Sequence, residues 1–126
     1  MRIEHIAFNV AEPRALSVWY CEHLGMRVAR SLDDPQQTTF LVDSSGGMMV
    51  EIYCNPLGAV PDYPSMDPLQ LHLAFVSSKP QDDLARLRDA GATLVEDLHL
   101  PDGSNLVMMK DPWGFSIQLC RRGPGS

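Results

Sequence analysis

The sequence is short of the features that would commit it to a special environment. Its three cysteines, Cys21, Cys54 and Cys120, are an odd number without CxxC spacing. That pattern argues against a disulfide framework or a thiolate zinc site and predicts small buried or half-buried thiols. No apolar run approaches the ~18–20 residues needed to cross a bilayer, so no membrane partner is expected. The amino terminus, Met1-Arg2-Ile3-Glu4-His5, lacks the long apolar stretch of a secretory leader, and a cytoplasmic location is the expectation. Basic charge is also in deficit: 10 Lys and Arg stand against 16 Asp and Glu, a formal charge of −6. A diffuse negative surface repels phosphate backbones, which argues against nucleic acid as a partner. What remains is an ordinary core composition, 44% hydrophobic and 21% charged over 126 residues. This suits one compact domain or two very small halves, and is too apolar for a disordered chain.

The chain repeats itself. His5-Ile6-Ala7-Phe8 returns as His72-Leu73-Ala74-Phe75, an offset of 67 (72 − 5). Pro13 and Pro80, Gly47 and Gly114, and Glu51 and Gln118 fall at the same offset of 67. Each copy opens on an alternating, branched-residue strand, at 2–10 and 69–77. A helical stretch follows, carried by Leu16, Trp19, Tyr20, His23 and Leu24 in one copy and by Leu84, Leu87 and Arg88 in the other. Gly25 and Gly91 are the helix stops. Three short strands then follow in each copy, near 26–32, 38–43 and 48–54, and near 93–100, 104–110 and 115–121, separated by Asp-, Pro-, Ser- and Gly-rich turns. The reading is α+β: two tandem βαβββ modules, 1–54 and 69–121, joined by a proline-rich connector at 55–68 and forming one domain over 1–121. Residues 122–126 are expected to be a flexible tail.

Strand alternation sorts the faces. Ile6, Phe8 and Val10 point towards the helix, leaving His5, Ala7 and Asn9 on the other side. Leu71, Leu73 and Phe75 repeat the packing face, leaving His72, Ala74 and Val76 opposite. Glu51 lies with Met49 and Tyr53, and Gln118 lies with Ser116 and Cys120. His5, Glu51, His72 and Gln118 therefore occupy equivalent places on the non-helix face, and a pseudo-twofold axis would gather them on the concave side of a curved mixed sheet around a metal-binding cavity. Two imidazoles, a carboxylate and an amide oxygen suit a borderline divalent cation such as Ni, Zn, Co, Mn or Fe, with two positions left for a chelating substrate. Among the other polar candidates, His23 is expected to cap or pack the end of its helix. His99 shares a strand face with Asp97 and is a candidate at the cavity rim. Tyr53, Met49, Met108 and Trp113 are candidates to shape an apolar pocket.

These residues resemble the vicinal oxygen chelate superfamily, which includes glyoxalase I, methylmalonyl-CoA epimerase, extradiol dioxygenases and antibiotic-resistance proteins. The resemblance spans 1–121 and rests on the doubled module, His5, Glu51, His72 in His-Leu-Ala-Phe, and Asp111-Pro112-Trp113-Gly114. The pattern is most similar to bacterial-type glyoxalase I, a lyase or isomerase that moves a proton on a glutathione hemithioacetal beside a metal. That likeness implies His5, Glu51, His72 and Gln118 as metal ligands and Asn55 as a glutathione contact. Two positions depart from it. The last ligand, a glutamate and base in that family, is Gln118 here, which cannot accept a proton at neutral pH. The glutathione-gripping arginine is replaced by Asn9. The proton shuttle then falls to Glu51, its symmetry equivalent. Read from the second copy, the order His72, Gln118, His5, Glu51 resembles methylmalonyl-CoA epimerase, whereas a dioxygenase triad fits less well. The resemblance thus implies a metal-dependent lyase or isomerase acting on a small carbonyl compound, and a homodimer as its assembly. The alternative is a non-catalytic drug-binding protein of the same fold.

Overall fold

Two prolines start the two helices. In the computed structural model, which describes residues 1–124, Pro13 opens α1 (Pro13–Leu24) and Pro80 opens α2 (Pro80–Asp89). Proline at the first helical position loses nothing, because its missing N–H would have no partner there and its fixed φ is already helical. No side chain caps either N-terminus. α2 compensates with Asp82 and Asp83 in its first turn and Arg86 and Arg88 in its last, each sign facing the helix-dipole end that favours it. α1 stops at Gly25, whose φ of 67° is left-handed and whose N–H bonds back to the Tyr20 carbonyl. Beyond α2 the chain turns at Gly91, at φ 106°.

The first unit, Met1–Pro61, contains β1 (His5–Asn9), α1, β2 (Arg27–Ser31), β3 (Thr39–Val42) and β4 (Met49–Tyr53). Its sheet runs β1-β4-β3-β2, with β1 parallel to β4 and the other neighbours antiparallel. A parallel pair needs a crossover, and α1 with the β2–β3 hairpin supplies it. Phe8, Val10, Leu16, Trp19, Tyr20, Leu41, Val50 and Ile52 are buried between α1 and the sheet. Each such side chain contributes about 1.5–3 kcal/mol of burial. The second unit, from Asp62, contains a 3-10 turn (Tyr63–Ser65), β5 (Leu73–Val76), α2, β6 (Thr93–His99), β7 (Asn105–Lys110) and β8 (Ser116–Arg121). Its sheet order is β5-β8-β7-β6, the same topology, and its core holds Leu84, Leu87, Val107, Met109, Phe115, Ile117 and Leu119. The α+β reading and the doubled βαβββ module therefore hold, as two four-stranded mixed sheets. The outer strand of each sheet carries a bulge, at Val28/Arg30 and at Leu94/Glu96.

The details refine the repeat. β5 begins at Leu73, so His72 lies one residue before the strand, whereas His5 is the first residue of β1. Gly114 is left-handed at φ 86°, and its counterpart is Gly46 at φ 71°, not Gly47. In each turn an aspartate oxygen accepts the backbone N–H two residues on: Asp43 from Ser45 and Asp111 from Trp113, both at 2.9 Å. The first module thus carries one extra residue between its turn and β4, which restores the common offset before Glu51. Past β8, the Gly123 N–H donates to Ser104 Oγ at 2.9 Å, while residues 125 and 126 of the expected tail lie outside the described residues. Among the described residues, no helix is long and apolar enough to cross a membrane.

The proline-rich connector divides between the units. Its second half is fixed by Lys110, whose Nζ donates to the carbonyls of Tyr63, Pro64 and Met66 at 2.8, 2.9 and 2.8 Å. The Tyr63 and Phe115 rings meet at 5.0 Å. Pro64 sits so close that a Cβ on Gly114 would lie 2.8 Å from its Cα and 2.5 Å from its Cγ. We expect Gly114→Ala to lower stability by about 2–4 kcal/mol, combining left-handed strain with overpacking. Gly25→Ala, with the same sign of φ and nothing within 4 Å, is expected to cost only about 1 kcal/mol. Urea denaturation of the two variants measures the difference.

Candidate functional site

Parallel pairing of the first and last strands places the candidate ligands of each module. In the first, Ala7 is opposite Glu51 and His5 is opposite Met49; in the second, Ala74 is opposite Gln118. The register is the same in both. Each histidine stands two residues before the small residue that faces the Glu or Gln; His5 shares its strand side with Ala7, and His72 immediately precedes β5.

In the first module this register brings His5 Nε2 to 3.0 Å from Glu51 Oε2. The other ring nitrogen, Nδ1, bonds to the Glu4 carboxylate. The His5 imidazole is held above its ordinary pKa, first by the hydrogen bond to Glu4, against a lowering by desolvation, and then by the charges of Glu4 and Glu51. In the second module, His72 is half-buried and its Nδ1 donates to the Pro68 carbonyl at 2.8 Å. That bond fixes the proton on Nδ1 and leaves Nε2 with its lone pair, the form in which imidazole binds a metal. Gln118 Oε1 accepts from Cys120 Sγ at 3.2 Å.

The remaining candidates divide between the modules. Asn9, Tyr53 and Asn55 meet at the far end of β1 and β4, where Asn9 is opposite Tyr53. The Asn9 amide group is committed to backbone: Nδ2 donates to the carbonyls of Asn55, Gly58 and Ala59 at 3.0, 3.0 and 3.2 Å, and Oδ1 accepts the Asn55 N–H at 2.7 Å. The Asn55 side-chain oxygen accepts the Leu57 N–H at 3.0 Å. Both asparagines thus shape the connector. Tyr53 is half-buried on the face of Met49 and Glu51. Trp113 is half-buried in the turn that Asp111 organises. His99, 64% exposed at its side chain, lies 3.2 Å from Asp97 Oδ1. Asp97 also accepts from Asn105 at 2.8 Å and Gln81 at 2.9 Å. Burial pushes the Asp97 carboxyl up, but these amides and His99 outweigh it and hold the pKa below the ordinary value. His23 ends α1 against the Trp19 ring, at 5.1 Å. All three thiols are free, with Cys21 and Cys54 half-buried and Cys120 buried.

Among the described residues, no group of three or more His, Cys, Asp or Glu side chains is gathered to hold a metal ion. The donors of the first module nevertheless fit such an ion as a partial set. Two ligand atoms at right angles on an octahedral ion with bonds of about 2.1 Å are about 3.0 Å apart, the separation between His5 Nε2 and Glu51 Oε2. Both histidines also have their second nitrogen held by an oxygen, as metal-binding imidazoles do. Sequence reasoning missed Glu4, the Pro68 carbonyl and Lys110. Glu4 was legible as the residue adjoining His5. The contacts of the His72 and Lys110 side chains with backbone carbonyls depend on how the connector turns, which residue types do not specify.

The comparisons agree with this architecture. The model of the glyoxalase-like domain matches residues 5–120, and the chain belongs to that family. No curated protein matches the sequence significantly. Among solved structures, it is similar to TnmS3, an antibiotic-binding protein from a Streptomyces species, with a TM-score of 0.74 and 16% identity over 98% of this chain and 97% of that one. A glyoxalase family protein from Enterococcus faecalis gives a TM-score of 0.70 and 27% identity, covering 94% and 96%. A lactoylglutathione lyase from Agrobacterium tumefaciens gives 0.67 and 19%, covering 94% and 91%.

Because Asn9 ties the first half of the connector to β1, Asn9→Ala is expected to lower stability by about 1–3 kcal/mol. It should also speed hydrogen exchange at the Asn55 and Gly58 amides. Asn9→Asp should destabilise further, since a carboxylate would face three carbonyl oxygens. Exchange measured by NMR, with denaturant unfolding, checks both effects.

Proposed function

We propose that the protein is a divalent-metal-dependent lyase or isomerase that moves a proton next to the carbonyl of a small molecule. The observation that carries this reading is the 3.0 Å approach of His5 Nε2 to Glu51 Oε2, with Nδ1 of His5 secured by Glu4. His5 and Glu51 of the first module, and His72 and Gln118 of the second, are the proposed ligands. Ni, Zn, Co, Mn and Fe all suit imidazole with oxygen donors. When bound, such an ion stabilises negative charge developing on a carbonyl oxygen.

The rest of the chemistry belongs to the chain. Glu51 is the only carboxylate in the proposed set, and a carboxylate oxygen can take a proton from carbon and return it to the neighbouring carbon. Gln118 is neutral and acceptor-capable through its Oε1, so it orients without exchanging protons. A neutral fourth ligand also leaves the set less anionic than a two-glutamate set. Tyr53, on the Glu51 face, and Trp113 are proposed substrate contacts, with His99 as a rim residue. Asn9 and Asn55 are proposed to act on substrate through the connector they shape. A homodimer in the cytoplasm completes the reading: β1 and β5 each end their sheets, edges that native proteins cover, and the thiols are free.

A second reading, a small-molecule-binding protein without turnover, is supported by a different observation. The Asn9 amide is spent on backbone carbonyls and Gln118 stands where a base is required. The similarity to an antibiotic-binding protein points the same way.

Equilibrium dialysis against Ni²⁺ or Zn²⁺, read by elemental analysis, separates the two. The enzyme reading expects a bound divalent ion and an affinity at least tenfold weaker in His5→Ala and in His72→Ala, with His23→Ala unchanged. Glu51→Gln should then lower proton exchange at the carbon beside a hemithioacetal carbonyl by ~10²–10⁴-fold, followed by NMR in deuterated water. Wild-type protein that binds neither ion contradicts the enzyme reading and favours the second.

A further inference from the structure

At the C-terminal end of the strand pair that carries Gln118, beyond the proposed ligands, the second module contains a cleft. It has a volume of about 510 Å³ and is lined by Ala74, Phe75, Val76, Ser77, Ser78, Cys120, Arg121 and Arg122. That volume lies within the range of roughly 300–1,000 Å³ typical of small-molecule sites. The cleft forms where the parallel strands β5 and β8 end together. Ser77 N–H still bonds to the Cys120 carbonyl at 2.9 Å, after which one chain enters α2 and the other continues to Arg122.

The lining separates into two chemistries. Ala74, Phe75 and Val76 give an apolar wall, and Val76 is 95% exposed although it lies within a strand. Arg121 and Arg122 supply two positive charges, and no acidic side chain is among the lining residues. Arg122 lies within electrostatic range of Asp102. The Arg121 guanidinium and the Ser78 hydroxyl have no partner among the described residues. Ser77 Oγ donates to Asp83 at 2.5 Å, so towards the cleft it can only accept. In a chain of net charge −6, two adjacent arginines beside an uncovered apolar wall are a local reversal of sign. A guanidinium presents a planar fork of N–H donors that matches the two oxygens of a carboxylate and can bond two of the three oxygens of a tetrahedral sulfonate.

We infer that this cleft binds a small organic anion, with its charged group on Arg121 and Arg122 and its apolar body against Phe75 and Val76. Burial of the apolar body supplies affinity, and the arginines select for negative charge. Two cationic groups match one such anion, whereas a nucleic-acid or membrane surface calls for an extended basic face.

The test uses a fluorescent aromatic sulfonate, 8-anilinonaphthalene-1-sulfonate, and its uncharged counterpart N-phenyl-1-naphthylamine, with metal-free full-length protein. The inference expects the sulfonate to bind at least tenfold more tightly than the neutral probe. Arg121→Gln/Arg122→Gln should remove that preference while leaving the neutral probe unchanged, and Val76→Glu should weaken the sulfonate at least tenfold. All three positions are at the surface, so the variants should fold, which circular dichroism verifies. Equal binding of the two probes to wild-type protein, binding of neither, or undiminished sulfonate affinity in the double arginine variant would overturn it. Since no metal is present, the result is independent of the proposed enzyme chemistry.

Discussion

The parallel pairing of the first and last strand in each module is the constraint on which the other features depend. It requires a crossover, and so a helix, which Pro13 and Pro80 begin at the same point after the first strand. It fixes the register in which Ala7 faces Glu51 and Ala74 faces Gln118. A slip of one residue would turn each of these side chains to the opposite face of its sheet. The buried residues on the helix side, among them Phe8, Ile52, Ile117 and Leu119, make such a slip costly. The chemistry on one face is therefore held in place by the hydrophobic packing on the other.

A second device recurs at the connector. Asn9 holds 55–59 through an amide NH2 shared among three carbonyls, and Lys110 holds 63–66 with three donated hydrogen bonds. In both cases one polar side chain satisfies carbonyls that a proline-rich segment cannot pair through its own N–H groups. The modules otherwise diverge while keeping the same plan. Arg14 ties the start of α1 to Ser31, Thr39 and the Leu32 carbonyl, and Gln81, at the equivalent place in α2, ties it to Asp97 and Asn105. The position is constrained to bridge helix and strands, while its charge is free to change.

Much of the fold was legible because alternation and helical spacing are local. The strands, both helices and the sharing of a face by His5, Ala7 and Asn9 follow from residue order alone. The repeat was also legible, except at the turn. There an extra residue in the first module makes Gly46 the counterpart of Gly114, although Gly47 has the matching offset. The strand positions of the candidate side chains were legible, and their bonding partners less so. The resemblance marked positions 9 and 55 as places that meet substrate, and it does not specify that the side chains of Asn9 and Asn55 bond to the connector backbone, whose path residue types do not encode. The same holds for the Pro68 carbonyl that orients His72. The arginine cleft is not legible in residue order, because Arg121 ends the last strand and Arg122 opens the expected tail, and only the folded ends of β5 and β8 place them beside Val76.

Metal-dependent chemistry in this protein requires His5 and His72 to be ligands through Nε2, with Nδ1 held protonated by Glu4 and by the Pro68 carbonyl. Nitrogen NMR of the histidine rings during a Zn²⁺ titration observes both nitrogens of all four histidines at once. The account predicts that the Nε2 signals of His5 and His72 move together to metal-bound positions while their Nδ1 atoms stay protonated, and that His23 and His99 do not respond. Rings of His5 and His72 that remain unchanged at saturating Zn²⁺, or a response confined to His23 and His99, would contradict it.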